Sequence, residues 1–207
     1  MKKGVNLVFV LSVICGLFVT ICDYLVQMTT TETDYFVSRI LSLDEFTMML
    51  SSYGCMFTFP FWISGVYLVY LTMCRVNRRL ALLCSVGVGY SLLMLAYFHY
   101  GYAMVYDIGD SLTDWCAVTK ANAPLYPFMF GLLPICWIVI GAMCFSQKSV
   151  VPRWTVLANP VVLSVGISLV AWIYPSARIL QPGVFSLGIT LYYVVCWMKL
   201  KNEVNHA

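Results

Sequence analysis

An aspartate and a histidine stand inside long apolar runs of this chain, Asp23 within residues 5–28 and His99 within residues 80–106. A carboxylate in hydrocarbon is costly unless it is paired or wetted, and a histidine at hydrogen-bond distance is a natural partner. Together they are the residue types of an acid–base dyad, or of a polar grip on a ligand head group. The plain alternative is an interhelical hydrogen bond, or an Asp23 side chain that reaches the outer interface. Arg39 and Arg178 come next. Arginine favours planar, bidentate partners, so these two could hold a lipid phosphate or an anionic substrate; headgroups and acids such as Asp44 or Glu45 are the ordinary partners. Arg153 and Asn159 complete the set. Pro152-Arg153-Trp154 reads as the start of a membrane helix at the headgroup boundary, and Asn159-Pro160 as a break one to two turns inside it. There Pro160 frees the carbonyl of Val156, and Asn159 faces other helices and repairs the break.

Other chemistries find less support. Ser91, Ser164, Ser168 and the Ser38-Arg39 pair offer hydroxyls, but no GxSxG is present, and small hydroxyl residues are normal helix-packing material. His99 is the single histidine within the apolar runs, the other being His206 in the tail. This argues against hydrolases that hold zinc with three histidines. No CxxC, phosphate-binding glycine loop or dinucleotide fingerprint appears, so neither a metal nor a cofactor is expected. Most of the nine cysteines fall in or beside apolar runs, where the residue is a small hydrophobe. Cys55 and Cys116, nearer the outer face, are the candidates for a disulfide.

These residues must be positioned by membrane helices. The chain has 207 residues, 61% hydrophobic and 10% charged. Soluble domains average about 45–50% apolar and about 25% charged. At about 20 residues per span, the length allows six helices with short connections and no soluble domain. The spans are predicted at about 5–28, 46–74, 80–106, 123–145, 154–174 and 183–198. Residues Phe36, Val37, Ile40, Leu41 and Leu43 suit a short helix lying on the membrane surface. Along the first span, Gly16, Thr20, Asp23 and Gln27 form one stripe of small and polar residues that lets a neighbour approach closely. Pro60, Pro134 and Pro160 predict three interrupted helices.

Charge sets the orientation. With the N-terminus inside, Lys2, Lys3, Arg75, Arg78, Arg79, Lys148, Arg153, Lys199 and Lys201 lie inside, and Arg39, Lys120 and Arg178 outside. That division follows the positive-inside rule. It also accounts for the net charge of +3 by topology, so no nucleic-acid partner is expected. From their inner ends, Asp23 lies about 27 Å and His99 about 28 Å along their helices, at one depth in the outer half.

The chain resembles an uncharacterised family of small bacterial inner-membrane proteins with five or six helices. The residues that carry the resemblance are Asp23-Tyr24-Leu25, Ser38-Arg39-Ile40-Leu41, Gly65-Val66-Tyr67-Leu68-Val69-Tyr70, His99 and, above all, Pro152-Arg153-Trp154 with Asn159-Pro160. The resemblance implies a plasma-membrane location and brings no activity with it. The expectation is an all-α bundle of six transmembrane helices, both termini cytoplasmic, in one domain. Its partners would be the lipid bilayer and a lipid or small amphipathic molecule, bound or moved in a cavity open to the outer side. An intramembrane lipid-modifying enzyme with His99 as acid or base, and a structural or regulatory subunit, are the alternatives.

Overall fold

The computed structural model describes residues 3–27, 43–108, 120 and 123–205. Arg39, the expected surface helix before Leu43, Cys116 and His206 lie outside the described residues. Among the described residues the chain forms six principal helices and no strand. Helix α1 is Lys3–Gln27, α2 is Glu45–Met73, α3 is Arg78–Ile108 and α4 is Ala123–Met143. Helix α5 is Pro160–Ile173, preceded by a 3-10 segment Arg153–Ala158. Helix α6 is Gln181–Asn205, preceded by a 3-10 segment Pro175–Leu180. It runs beyond the predicted span of about 183–198 and through Lys199-Leu200-Lys201. Helices α1 to α4, and α6 with its lead-in turn, are long and apolar enough to cross a membrane. That is the build of a membrane protein. At 14 residues α5 is shorter, about 21 Å against a hydrocarbon core of about 30 Å.

The prolines act differently from expectation. Pro60 lies inside α2, beyond a π-helical turn at Leu50–Gly54. Pro134 follows a π-helical turn at Pro127–Leu132 in α4. Both helices continue through these prolines. Pro160 interrupts nothing. It occupies the first turn of α5, with Asn159 as the N-cap in an extended conformation. The Val156 carbonyl is not freed; it accepts the Asn159 N–H at 3.1 Å. The expected fifth span from Trp154 is therefore a 3-10 segment followed by a separate α-helix. At the start of α2, the Asp44 carboxylate accepts the Thr47 N–H at 2.9 Å and its hydroxyl at 2.6 Å. These bonds hold the Asp44 carboxyl below the usual carboxylate range.

Helix α1 packs between α2 and α6. The small-residue stripe is the seam. A methyl group at Gly16 would collide with the Thr190 hydroxyl and would lie 2.6 Å from the Trp62 indole nitrogen. Gly65 does the same for α2 beneath the Tyr193 ring. Around these contacts Phe59, Trp62, Leu92, Trp137, Ile140, Tyr192 and Tyr193 form the buried core. We expect Gly16→Val to lower the stability of the bundle in detergent by about 1–3 kcal/mol, the usual cost of overpacking. Thermal unfolding followed by circular dichroism measures this; an unchanged midpoint would mean that the seam yields.

Cys55 is a buried free thiol that contacts Cys22 across α1 and α2. Of the candidate Cys55–Cys116 pair, Cys55 is thus a free thiol, and Cys116 lies outside the described residues.

Candidate functional site

The seam that brings α6 onto α1 also brings polar groups to Asp23. Four residues above Thr190 on α6 is Ser186, and three further is Gly183, which seats the Tyr24 ring. Gly183, Ser186 and Thr190 form one small, polar stripe, the counterpart of Gly16, Thr20 and Asp23 on α1. The Ser186 hydroxyl donates to Asp23 Oδ2 at 2.6 Å. From α3, His99 Nε2 lies 3.2 Å from Asp23 Oδ1, so each carboxylate oxygen has its own partner. Asp23, Ser186 and His99 are all buried. A second row of bonds stiffens the seam below. The Trp62 indole N–H donates to the Thr190 hydroxyl at 3.2 Å, and that hydroxyl donates to the Ser186 carbonyl at 2.9 Å. Phe59 packs on the His99 ring, with centroids 5.6 Å apart. The matched depth expected of Asp23 and His99 is thus met by direct contact.

The three polar residues stand together in the wall of a cavity of about 380 Å³. Its remaining wall is mostly apolar, from Leu95 and Phe98 on α3, Met129, Phe130, Leu133 and Pro134 on α4, Val161 and Val165 on α5, and Phe185 on α6. Ser164 on α5 also lines it; its Oγ is buried and has no hydrogen-bond partner among the described residues. The chamber is small for a ligand site, near the lower end of roughly 300–1,000 Å³.

Chemically, the array differs from a serine nucleophile relay. There the serine hydroxyl gives its proton to the histidine, and the carboxylate orients the far side of the ring. Here Ser186 gives its proton to the carboxylate, so nothing draws a proton from Oγ towards His99. What the array does offer is a buried carboxylate held by two donors. Each of its oxygens has a further lone pair for a guest. Among the described residues, no three of His, Cys, Asp and Glu converge as a metal ligand set.

Of the other sequence candidates, Arg178, Arg153 and Asn159 stand apart from this cluster, and Arg39 lies outside the described residues. Arg178 is exposed in the turn before α6, and Arg153 is exposed at the start of the 3-10 segment before α5. Asn159 is buried but works in the frame. Its Nδ2 donates to the Trp137 carbonyl of α4 at 2.7 Å, and its Oδ1 accepts the Val161 N–H at 3.0 Å. It ties α5 to α4, and two residues later Val161 already faces the cavity. Ser186 was missed by sequence reasoning, although its stripe on α6 is as legible as the one on α1.

No curated protein and no solved structure matches the chain. A family model covers residues 1–203, and the chain accordingly belongs to a family of unknown function, DUF6796.

Proposed function

We propose that this chain is a six-span protein of the bacterial plasma membrane that binds or moves a small amphipathic molecule in the cavity between its helices. The observation that carries this reading is that Asp23, His99 and Ser186, in contact with one another, line a mostly apolar chamber. Such a chamber has a polar seat and an oily wall, as an amphipathic guest requires.

The packing of the first and last helices supports six crossings. Phe9, early in α1, stacks on Trp197, late in α6, at 4.1 Å, and the Trp197 indole N–H donates to Asn6 Oδ1 at 3.0 Å. At the other end of α1, the Tyr24 hydroxyl donates to the Leu180 carbonyl just before α6. The two helices are therefore antiparallel, which requires an even number of crossings. With five long helices, the short α5 must cross as well, helped by the 3-10 segment before it. Six residues at about 2 Å each add about 12 Å. Both termini then lie on one side, and the excess of lysine and arginine makes that side cytoplasmic. The bacterial location rests on the resemblance, with its Pro152-Arg153-Trp154 and Asn159-Pro160 motif.

The enzyme reading is weaker, because the Ser186 hydroxyl is turned towards Asp23 rather than His99. The test is native mass spectrometry of the mildly extracted protein beside Asp23→Asn, His99→Ala and Ser186→Ala. A defined adduct on the wild type should fall about tenfold or more in occupancy in Asp23→Asn, since hydrogen bonds to a charged group are the strong ones. Equal occupancy in correctly folded variants would remove the three residues from the binding role.

A further inference from the structure

The cavity is not enclosed on all sides. Two of its lining residues, Phe130 on α4 and Val165 on α5, are 69% and 53% exposed. Both belong to helices that face lipid, so their exposed surface is the flank of the bundle. Helix α5 packs chiefly on α6, with Pro160 close against Gly188, and meets α4 far less. The bond from Asn159 to the Trp137 carbonyl closes the α4–α5 seam at its cytoplasmic end. Beyond it, Phe130 and Val165 line the cavity and at the same time present most of their surface outward, which points to a mouth on this flank. The polar groups inside are unequal in kind. Asp23 offers acceptor lone pairs, while the Ser186 hydroxyl already donates to it. Pro134, also in the wall, has no N–H for the Phe130 carbonyl. Only Ser164 has a hydroxyl left to give or take.

Resting on the binding reading above, we propose that the cavity is loaded sideways from the bilayer. The opening is the slot between α4 and α5, and the guest is a single-chain lipid with a hydrogen-bond-donating head, an amine or an alcohol. The head reaches Asp23 and the Ser164 hydroxyl; the chain passes out between Phe130 and Val165. A chamber of about 380 Å³ excludes the two chains of a phospholipid from lying wholly inside. A carboxylate or phosphate head would set its own acceptor oxygens against those of Asp23, with no proton to share between them.

The experiment uses the full chain in lipid nanodiscs with long-chain amine, alcohol and acid probes that carry a diazirine in mid-chain. Labelled residues are mapped by mass spectrometry. The expected result is labelling of Met129, Phe130, Leu133 or Val165 by the amine and the alcohol, with the acid about tenfold lower. Val165→Trp, on an exposed position where the fold tolerates size, should reduce that labelling severalfold. Leu169→Trp, equally exposed one turn along α5, should not. Cavity labelling unaffected by Val165→Trp would overturn lateral access and leave the binding reading standing. Acid labelling as strong as amine would overturn the donor head. No cavity labelling by any probe would sink the binding reading itself, and this inference with it. Ser164→Ala, a small change that keeps the fold, should weaken labelling by the alcohol; unchanged labelling would overturn the role of Ser164.

Discussion

His99→Ala is expected to lower the stability of the folded bundle by about 3–5 kcal/mol, the largest loss from any single polar truncation in this chain. Removing the ring leaves the Asp23 carboxylate buried with Ser186 as its remaining side-chain donor. The size of the effect decides what the contact is. A neutral hydrogen bond between membrane helices contributes about 0.6 kcal/mol on average. A loss near that value would make Asp23–His99 an ordinary helix contact. A loss several times larger means that a charge has been stranded in a low-dielectric interior. Unfolding of the detergent-solubilised protein by a denaturing detergent reads this directly. The double variant Asp23→Leu/His99→Leu sharpens it. Removing both partners leaves no charge to strand, so most of the stability should return while bound molecules are lost. A double variant as unstable as His99→Ala would show that packing of the ring, against Phe59 for example, was the larger effect.

Asn159→Ala is the second large expectation, at about 2–4 kcal/mol. Two losses add: the N-cap of α5, about 0.5–2 kcal/mol, and a buried acceptor left behind at the Trp137 carbonyl, about 1–3 kcal/mol. The two can be separated. Asn159→Asp keeps an acceptor for the Val161 N–H but has no amide to give Trp137, and it sets a negative charge against that carbonyl. It should therefore be at least as damaging as Asn159→Ala. Asn159→Ser keeps the cap and a short hydroxyl, and should be the mildest of the three. Hydrogen exchange along 160–173 localises the damage. If α5 stays as protected in Asn159→Ala as in the wild type, the tie to α4 is not what holds it.

The helical frame was legible because its physics is additive along the chain. Length, apolar content and the alternation of basic loops require no knowledge of which helix meets which. The common depth of Asp23 and His99 followed from the fixed rise of a helix, and their contact bears it out. Asn159-Pro160 was misread because the same two residues serve two structures. Inside a helix, proline is a break. After an extended asparagine, it is the first residue of a new one, and the asparagine side chain caps it. The headgroup signature at Arg153-Trp154 drew the helix start six residues too early. Ser186 was passed over for a different reason. Its role depends on α1 and α6 lying side by side, a pairing between the two ends of the sequence that no local pattern reports.

That pairing has a consequence for how the protein comes to be made. Ser186 and Asp23 are 163 residues apart, and the stack of Phe9 on Trp197 spans even more. At synthesis rates of about 5–20 residues per second, α1 waits roughly 8–30 s in the membrane before α6 is complete enough to cover it. During that wait α2 already covers part of Gly16 through Trp62, and Asp23 gains its first side-chain partner when α3 brings His99. The last helix then adds Ser186 to the second oxygen of the carboxylate, so the polar cluster is complete only when the chain is.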